Sequence, residues 1–171
     1  MASRREFFSS LLGAAKREDS DIIDVVRPPY AKEEILFLTL CKECTSKKCK
    51  DVCPEKIIVI DAKGAPILNF SKSGCTFCQE CAIACEEGVL SLELKEEINA
   101  KFKIDTNLCL AHKGSICFSC KEPCIYDAIL FVGLFNPVID NDLCVGCGFC
   151  LNRCPTNAIS YTPTKIVSSQ E

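Results

Sequence analysis

The sequence predicts a small α+β protein assembled from four copies of one supersecondary unit. Three observations carry that prediction. Sixteen cysteines fall into four tight tetrads. The first cysteines of the tetrads are Cys41, Cys75, Cys109 and Cys144, a period of 34, 34 and 35 residues, and self-similarity at a fixed period marks a repeated structural unit. Between the tetrads lie short runs rich in Ile, Val, Leu and Phe, bounded by Gly, Pro, Asn and Asp, which read as strands. Each unit is expected to run strand, cysteine loop, short helix, strand.

The cysteine spacing names the chemistry. Cys144, Cys147, Cys150 and Cys154, followed by Pro155, read C-x2-C-x2-C-x3-C-P. Three cysteines at that pitch hold one face of a cubic iron–sulfur cluster, and the fourth reaches the neighbouring cluster. Cys75, Cys78, Cys81 and Cys85 repeat the x2, x2, x3 spacing without the proline. Cys41, Cys44, Cys49 and Cys53 widen the middle gap to x4, and Cys109, Cys117, Cys120 and Cys124 widen the first gap to x7. A zinc ribbon is the alternative, but ribbons use separated C-x2-C pairs. A disulfide framework also suits this cysteine density in a secreted chain, yet neighbours such as Cys78 and Cys81 are placed to share a metal site. The expectation is [4Fe–4S] clusters, three to four in number with four preferred, in a reducing compartment. Two units then make one two-cluster module of bacterial-ferredoxin type, and the chain carries two such modules in tandem behind an N-terminal helical extension.

The elements follow in order. Residues 1–32 are an N-terminal helical and linker segment. Phe7, Phe8, Leu11, Leu12 and Ala15 share one helical face. The Ser3–Phe8 segment also looks like a twin-arginine export signal, but its apolar region is short and Lys16–Asp21 follows with charge. A retained segment that docks on the core or on a partner is the preferred reading. Arg27–Tyr30 carries adjacent prolines and reads as a stiff linker. Residues 33–98 form the first module. Glu34–Leu40 reads as a strand entering the first tetrad, and Glu55–Ile58 as a short helical turn. Ile58–Ile60 and Ile67–Phe70 read as strands joined over Gly64 and Pro66, and Val89–Leu94 as a half-buried strand. The polar stretch Lys95–Asn99 marks the boundary, and residues 99–165 form the second module. Its strands are Lys101–Asp105, Asp127–Val132, Pro137–Asp140 and Ala158–Thr162; residues 166–171 are a polar tail, expected to fray.

Exchange of the fourth cysteines gives specific ligand sets. Short Gly/Pro-turn connections favour pairing consecutive tetrads. Site one then takes Cys41, Cys44, Cys49 and Cys85; site two Cys75, Cys78, Cys81 and Cys53. Site three takes Cys109, Cys117, Cys120 and Cys154; site four Cys144, Cys147, Cys150 and Cys124. The rival is nested pairing, first with fourth and second with third, and the separation of Cys53 from Cys75 decides between them. His112, inside the x7 gap, is either a ligand or a solvated loop side chain. Phe77, Phe118 and Phe149 lie within the cysteine loops as shields or as core. Ile57, Ile58, Val89, Ile129 and Ile159 follow the fourth cysteines and should pack against the sites. Lys42, Lys47, Lys48 and Lys50 surround site one, either offsetting its charge or simply solvated.

Formal net charge is −3 with thiols counted neutral, but ligating thiolates would take four filled sites to about −11. That excludes nucleic acid, whose partners need a basic face, and favours basic or polar protein surfaces. No run approaches 18 apolar residues, so no membrane span is expected. With one His, no Trp and no G-x-G-x-x-G or P-loop, neither hydrolysis nor nucleotide chemistry is supported. No catalytic residue is expected, and the chain is not read as an enzyme. Three roles remain: electron carriage, a maturation or binding module for another enzyme, and a structural fold held by its metal.

With the tetrads laid out, the whole chain resembles the NapF-type ferredoxin-like proteins encoded with periplasmic nitrate reductases. The resemblance rests on Ser3–Arg5, Arg27–Tyr30, the x7 third tetrad beginning Cys109-Leu-Ala111, and the ending Val145–Cys150 with Cys154-Pro155 and Ala158-Ile159. The x4 gap between Cys44 and Cys49 departs from the family's usual x2. The resemblance implies a cytoplasmic accessory protein carrying several [4Fe–4S] clusters. It implies contact with the precursor of the molybdenum-containing catalytic subunit, whose maturation it would assist, and with a membrane-bound quinol-oxidising iron–sulfur protein. The alternative is a general polyferredoxin carrying electrons to a membrane quinol dehydrogenase or other oxidoreductase.

Overall fold

Among the described residues the fold is a mixed arrangement of short helices and three two-stranded sheets. The computed structural model describes residues 25–166. Its elements are α1 (Glu34–Glu43), α2 (Lys48–Asp51), β1 (Ile58–Ile60), β2 (Pro66–Leu68), α3 (Glu80–Ile83), β3 (Ala100–Ile104), β4 (Ile129–Val132), β5 (Phe135–Ile139), α4 (Phe149–Arg153) and β6 (Ile159–Pro163). The export-like motif and the amphipathic face from Phe7 to Ala15 lie outside the described residues, as does most of the tail.

The second half is a hairpin enclosed by its own ends. β4 pairs antiparallel with β5, Ile129 opposite Ile139. β3 pairs antiparallel with β6, from Ala100 opposite Pro163 to Ile104 opposite Ile159. The first half has the same plan in reduced form. β1 pairs with β2, Ile58 opposite Leu68, and the outer pairing shrinks to a bridge between Ala31 and Leu90. Two hydrogen bonds hold that bridge: Lys32 N–H to the Val89 carbonyl at 3.2 Å and Ser91 N–H to the Tyr30 carbonyl at 2.9 Å. Val89–Leu94 is therefore a bridge followed by turns and not the expected strand. Alternation alone could not supply a partner long enough to pair with it.

The stretch Glu34–Leu40 is a helix, not a strand. A continuous apolar run has no period to separate the two. The helix wins because Glu34 lies in its first turn and Lys42 in its last, complementing the dipole. Phe37 and Cys41, one turn apart, are the positions it buries. The short helices also sit elsewhere than expected. α2, α3 and α4 span the third cysteine of the first, second and fourth tetrads, ahead of the fourth cysteine; Glu55–Ile58 is a turn leading directly into β1.

Arg27–Tyr30 is core and not a free linker. Arg27 is 2% exposed. Its guanidinium is paired with Glu34, lies 3.6 Å from Asp61, donates to the Pro66 carbonyl at 3.0 Å, and stands 4.8 Å from the centre of the Phe37 ring. The polar boundary is equally engaged. Asn99 accepts from the Arg27 N–H at 2.8 Å and donates to the Thr164 carbonyl at 2.8 Å, tying both described ends to the junction between the halves. Among the described residues, no helix is long and apolar enough to cross a membrane.

Candidate metal centres

The tetrads are presented by one local device used four times. The fourth cysteine of each is followed three residues later by a left-handed residue: Lys56 (φ 52°), Gly88 (φ 63°), Asp127 (φ 50°) and Asn157 (φ 52°). In each case that residue's N–H donates to the fourth cysteine's carbonyl, at 3.1, 3.2, 3.1 and 3.3 Å. The turn carries the chain straight from a cysteine into the following strand or bridge. Gly, Asp and Asn tolerate that conformation, so three of the four positions carried a readable signal that the sequence reading did not use; Lys56 carried none. Left-handed residues also precede the third cysteine by two positions at Lys47, Gln79 and Gly148, where they start α2, α3 and α4.

The folded chain gathers the sixteen cysteines into four quartets, each with three members from one tetrad and one from another. One pocket is lined by Cys41, Cys44, Cys49 and Cys85. A second is lined by Cys75, Cys78, Cys81 and Cys53, with Ile57 and Ile58 in its wall. A third is lined by Cys109, Cys117, Cys120 and Cys154, with Ile159 in its wall. Cys144, Cys147, Cys150 and Cys124 lie within one another's electrostatic reach and make the fourth quartet. Cys53 lies close enough to Cys75 to perturb it, so the geometry groups consecutive tetrads and not nested ones. The lining of the third pocket includes Leu110 but not His112, whose Nδ1 is buried without a hydrogen-bond partner.

The quartets suit a polynuclear cluster. Among the described residues no three His, Cys, Asp or Glu side chains converge as they would on one ion, and three of the quartets line a pocket. Burial pushes Cys41 up to about 11, with Cys85 as its next perturber. Burial likewise pushes Cys75 and Cys81 up to about 12 and Cys120 up to about 11. Cys150 is also raised, first by burial and then by Cys147. Burial thus favours the neutral form of these raised thiols, and bound iron would supply the positive charge that deprotonates them. Hydrogen bonds to sulfur are already in place. The Phe77 N–H reaches Cys75 Sγ at 3.4 Å, Leu90 N–H reaches Cys85 Sγ at 3.5 Å, and Ala158 N–H reaches Cys154 Sγ at 3.1 Å. At Cys154 the thiol is lowered: burial acts to raise it, but the Thr156 hydroxyl and nearby amides outweigh burial. At Cys44 the Lys47 amide leads in lowering it.

The surrounding residues divide by role. Phe77, buried, accepts at its carbonyl from the Tyr30 hydroxyl at 3.0 Å, so the Arg27–Tyr30 segment braces the loop of the second tetrad. Phe118 packs on Phe131 with ring centres 4.7 Å apart. Ile57, Ile58, Val89, Ile129 and Ile159 are all buried. Of the lysines, Lys47 donates to the carbonyls of Cys41 and of Gly64, the latter at 2.7 Å. Lys48 pairs with Glu86 on the surface, and Lys42 and Lys50 are exposed.

Comparison with known proteins points to iron–sulfur chemistry. Residues 137–160 match the family model described as a 4Fe-4S binding domain. The chain is 35% identical over 139 residues to the ferredoxin-type protein NapF of Escherichia coli strain K12, covering 79% of this chain and 83% of that one. It is 31% identical over 171 residues to the ferredoxin-type protein NapF of Haemophilus influenzae, covering 95% and 94%. It is 27% identical to the ferredoxin-type protein NapG of Escherichia coli strain K12, covering 85% and 73%.

Proposed function

The chain belongs to the NapF family of ferredoxin-type iron–sulfur proteins, and from that premise we propose that its sixteen cysteines hold four [4Fe–4S] clusters in two two-cluster modules, residues 33–98 and 99–165. The ligand sets are the four quartets: Cys41, Cys44, Cys49 and Cys85; Cys53, Cys75, Cys78 and Cys81; Cys109, Cys117, Cys120 and Cys154; Cys124, Cys144, Cys147 and Cys150. When bound, such clusters accept and release single electrons. The chain's own residues fix the thiolates, exclude water with the isoleucines behind them, and donate amide hydrogen bonds to sulfur, which tune the potential.

The protein acts in the cytoplasm as an accessory of a periplasmic nitrate reductase system. There it docks the precursor of the molybdenum-containing catalytic subunit and assists its maturation by supplying or withdrawing electrons. It is a carrier and not an enzyme. The observation that supports electron carriage is the exchanged fourth cysteine in every quartet.

Two measurements test it. Anaerobically prepared protein should hold about sixteen iron and sixteen sulfide per chain, with reversible EPR signals on reduction; clusters that cannot be cycled would leave a structural role only. The unexported catalytic subunit should co-purify with the chain from the cytoplasm. Capture of a quinol-oxidising membrane protein in its place would move the role to general electron delivery.

A further inference from the structure

The two halves meet through their cysteine loops. Gly74, directly before Cys75, is buried against the loop of the fourth tetrad. A Cβ there would fall 2.6 Å from the Phe149 amide nitrogen and 2.7 Å from the Cys147 carbonyl oxygen. No positive φ requires glycine at this position; closeness of backbone to backbone does. The Cys75 N–H donates to the Cys147 carbonyl at 2.7 Å. From the other side, a Cβ on Gly148 would meet the Phe70 ring at 2.5 Å, and Asn152 Nδ2 donates to the Phe70 carbonyl at 2.8 Å. Phe70 itself lies edge-on to Phe102 and Tyr161, on β3 and β6. Tyr126 stacks edge-on to Phe77 and lies within electrostatic reach of both Cys75 and Cys147.

Within each half, the two quartets approach through their third cysteines: Cys81 near Cys49, and Cys150 near Cys120. Between the halves, among the described residues, the direct hydrogen bond from one quartet to another is the one from Cys75 to Cys147.

We propose that the Gly74–Cys75 and Cys147–Gly148 contact is the electron-transfer junction between the halves, so that the four centres are wired in the order one, two, four, three. This rests on the ligand sets given under Proposed function. Tunnelling falls steeply with distance, and the junction brings two quartets into backbone contact. With clusters held on both sides, an electron crossing it would oxidise the centre that gives it and reduce the centre that takes it, in either direction. No bond forms or breaks and no proton moves. A one-electron donor protein at one end and a one-electron acceptor protein at the other complete the balance. Sites one and three are then the terminals.

The test is Gly74→Val in the full chain, loaded anaerobically and compared with the unaltered protein by EPR after full reduction with dithionite. Unaltered protein should show magnetic coupling that links the halves. Gly74→Val at unchanged iron and sulfide should lose that coupling and keep the coupling within each half. If Gly74→Val does not hold its iron, Cys78→Ala serves: emptying site two should abolish coupling between the halves and leave the pair at sites three and four coupled. Two independent pairs in the unaltered, fully loaded protein would overturn the junction, as would coupling between halves that survives Cys78→Ala. An iron content short of four clusters in the unaltered protein would instead overturn the ligand sets beneath it.

Discussion

Replacing Cys53 with alanine should empty the site of the second tetrad and not that of its own. The pocket holding Cys75, Cys78 and Cys81 takes its fourth thiol from Cys53, whereas Cys41, Cys44 and Cys49 share theirs with Cys85. Removing one of four thiolates opens a cubane to iron loss, so each emptied site should lower the count by about four of about sixteen iron. The magnitude that decides the issue is the non-additivity of pairs. Cys53→Ala/Cys78→Ala removes two ligands of one site and should lose about four iron, no more than either single change. Cys53→Ala/Cys44→Ala strikes two sites and should lose about eight. The assay is anaerobic iron and acid-labile sulfide determination, with spin quantitation of the reduced protein. Local ligation, each tetrad holding its own cluster, predicts the reverse pattern: eight for the first pair and four for the second. That reversal would refute the exchange, and with it the grouping of consecutive tetrads.

Four further outcomes are expected. Arg27→Met strands Glu34 and Asp61 beside an apolar ring, and breaking so buried a pair should cost about 3 kcal/mol, read as a lower thermal midpoint and faster bleaching. Tyr30→Phe leaves the Phe77 carbonyl without its donor; a loss of about 1–2 kcal/mol should appear as faster iron loss from the second site, with iron elsewhere retained. Chelation of iron under reducing conditions should collapse the far-UV circular dichroism, and lowering the pH should speed that loss, because protons compete with iron for thiolate; a fully folded, colourless product would contradict the view that metal holds the core. A single glycine inserted between Cys147 and Cys150 should abolish loading of site four and separate the halves, whereas the same insertion after Gly114, where a Cβ would meet nothing within 4 Å, should leave the iron content unchanged.

The cysteine framework was legible because its signal is chemical and local. Spacing alone placed the loops, and the repeat placed β1 and β2, β3, β4 and β5, and β6 near their observed positions. Long-range pairing was not legible. That β3 reaches across the half to β6 depends on two turns and a hairpin between them, and nothing in Lys101–Asp105 names Ile159–Pro163 as its partner. The helix α1 was misread because Ile35–Leu40 offers no alternation, and its end charges are joined by a contact from outside the helix: Arg27 binds Glu34 and covers Phe37. Arg27–Tyr30 was misread as a linker for the same reason, since proline stiffness describes the backbone and says nothing of what buries it. Gly74 gave no turn signal, and its purpose appears only when the fourth tetrad's loop is brought against it.

The irregular spacings acquire a reason from this packing. The second and fourth tetrads keep x2, x2, x3, and they are the two whose loops press together at Gly74, Cys147 and Gly148. An added residue in either loop would drive backbone into backbone, where no side chain can yield. The first and third tetrads carry the enlarged gaps, x4 and x7, and none of their residues is among those that meet at Gly74 and Gly148. The extra residues at the first include Lys47, which is turned inward to the carbonyls of Cys41 and Gly64, so that insertion is absorbed within its own loop. Those at the third run past Gly114 to Ile116, which is 68% exposed. Length variation is thus confined to the two ends of the wiring order, where a loop can change its outer surface without moving a neighbouring site, and the invariant spacing falls where two sites must share one backbone contact.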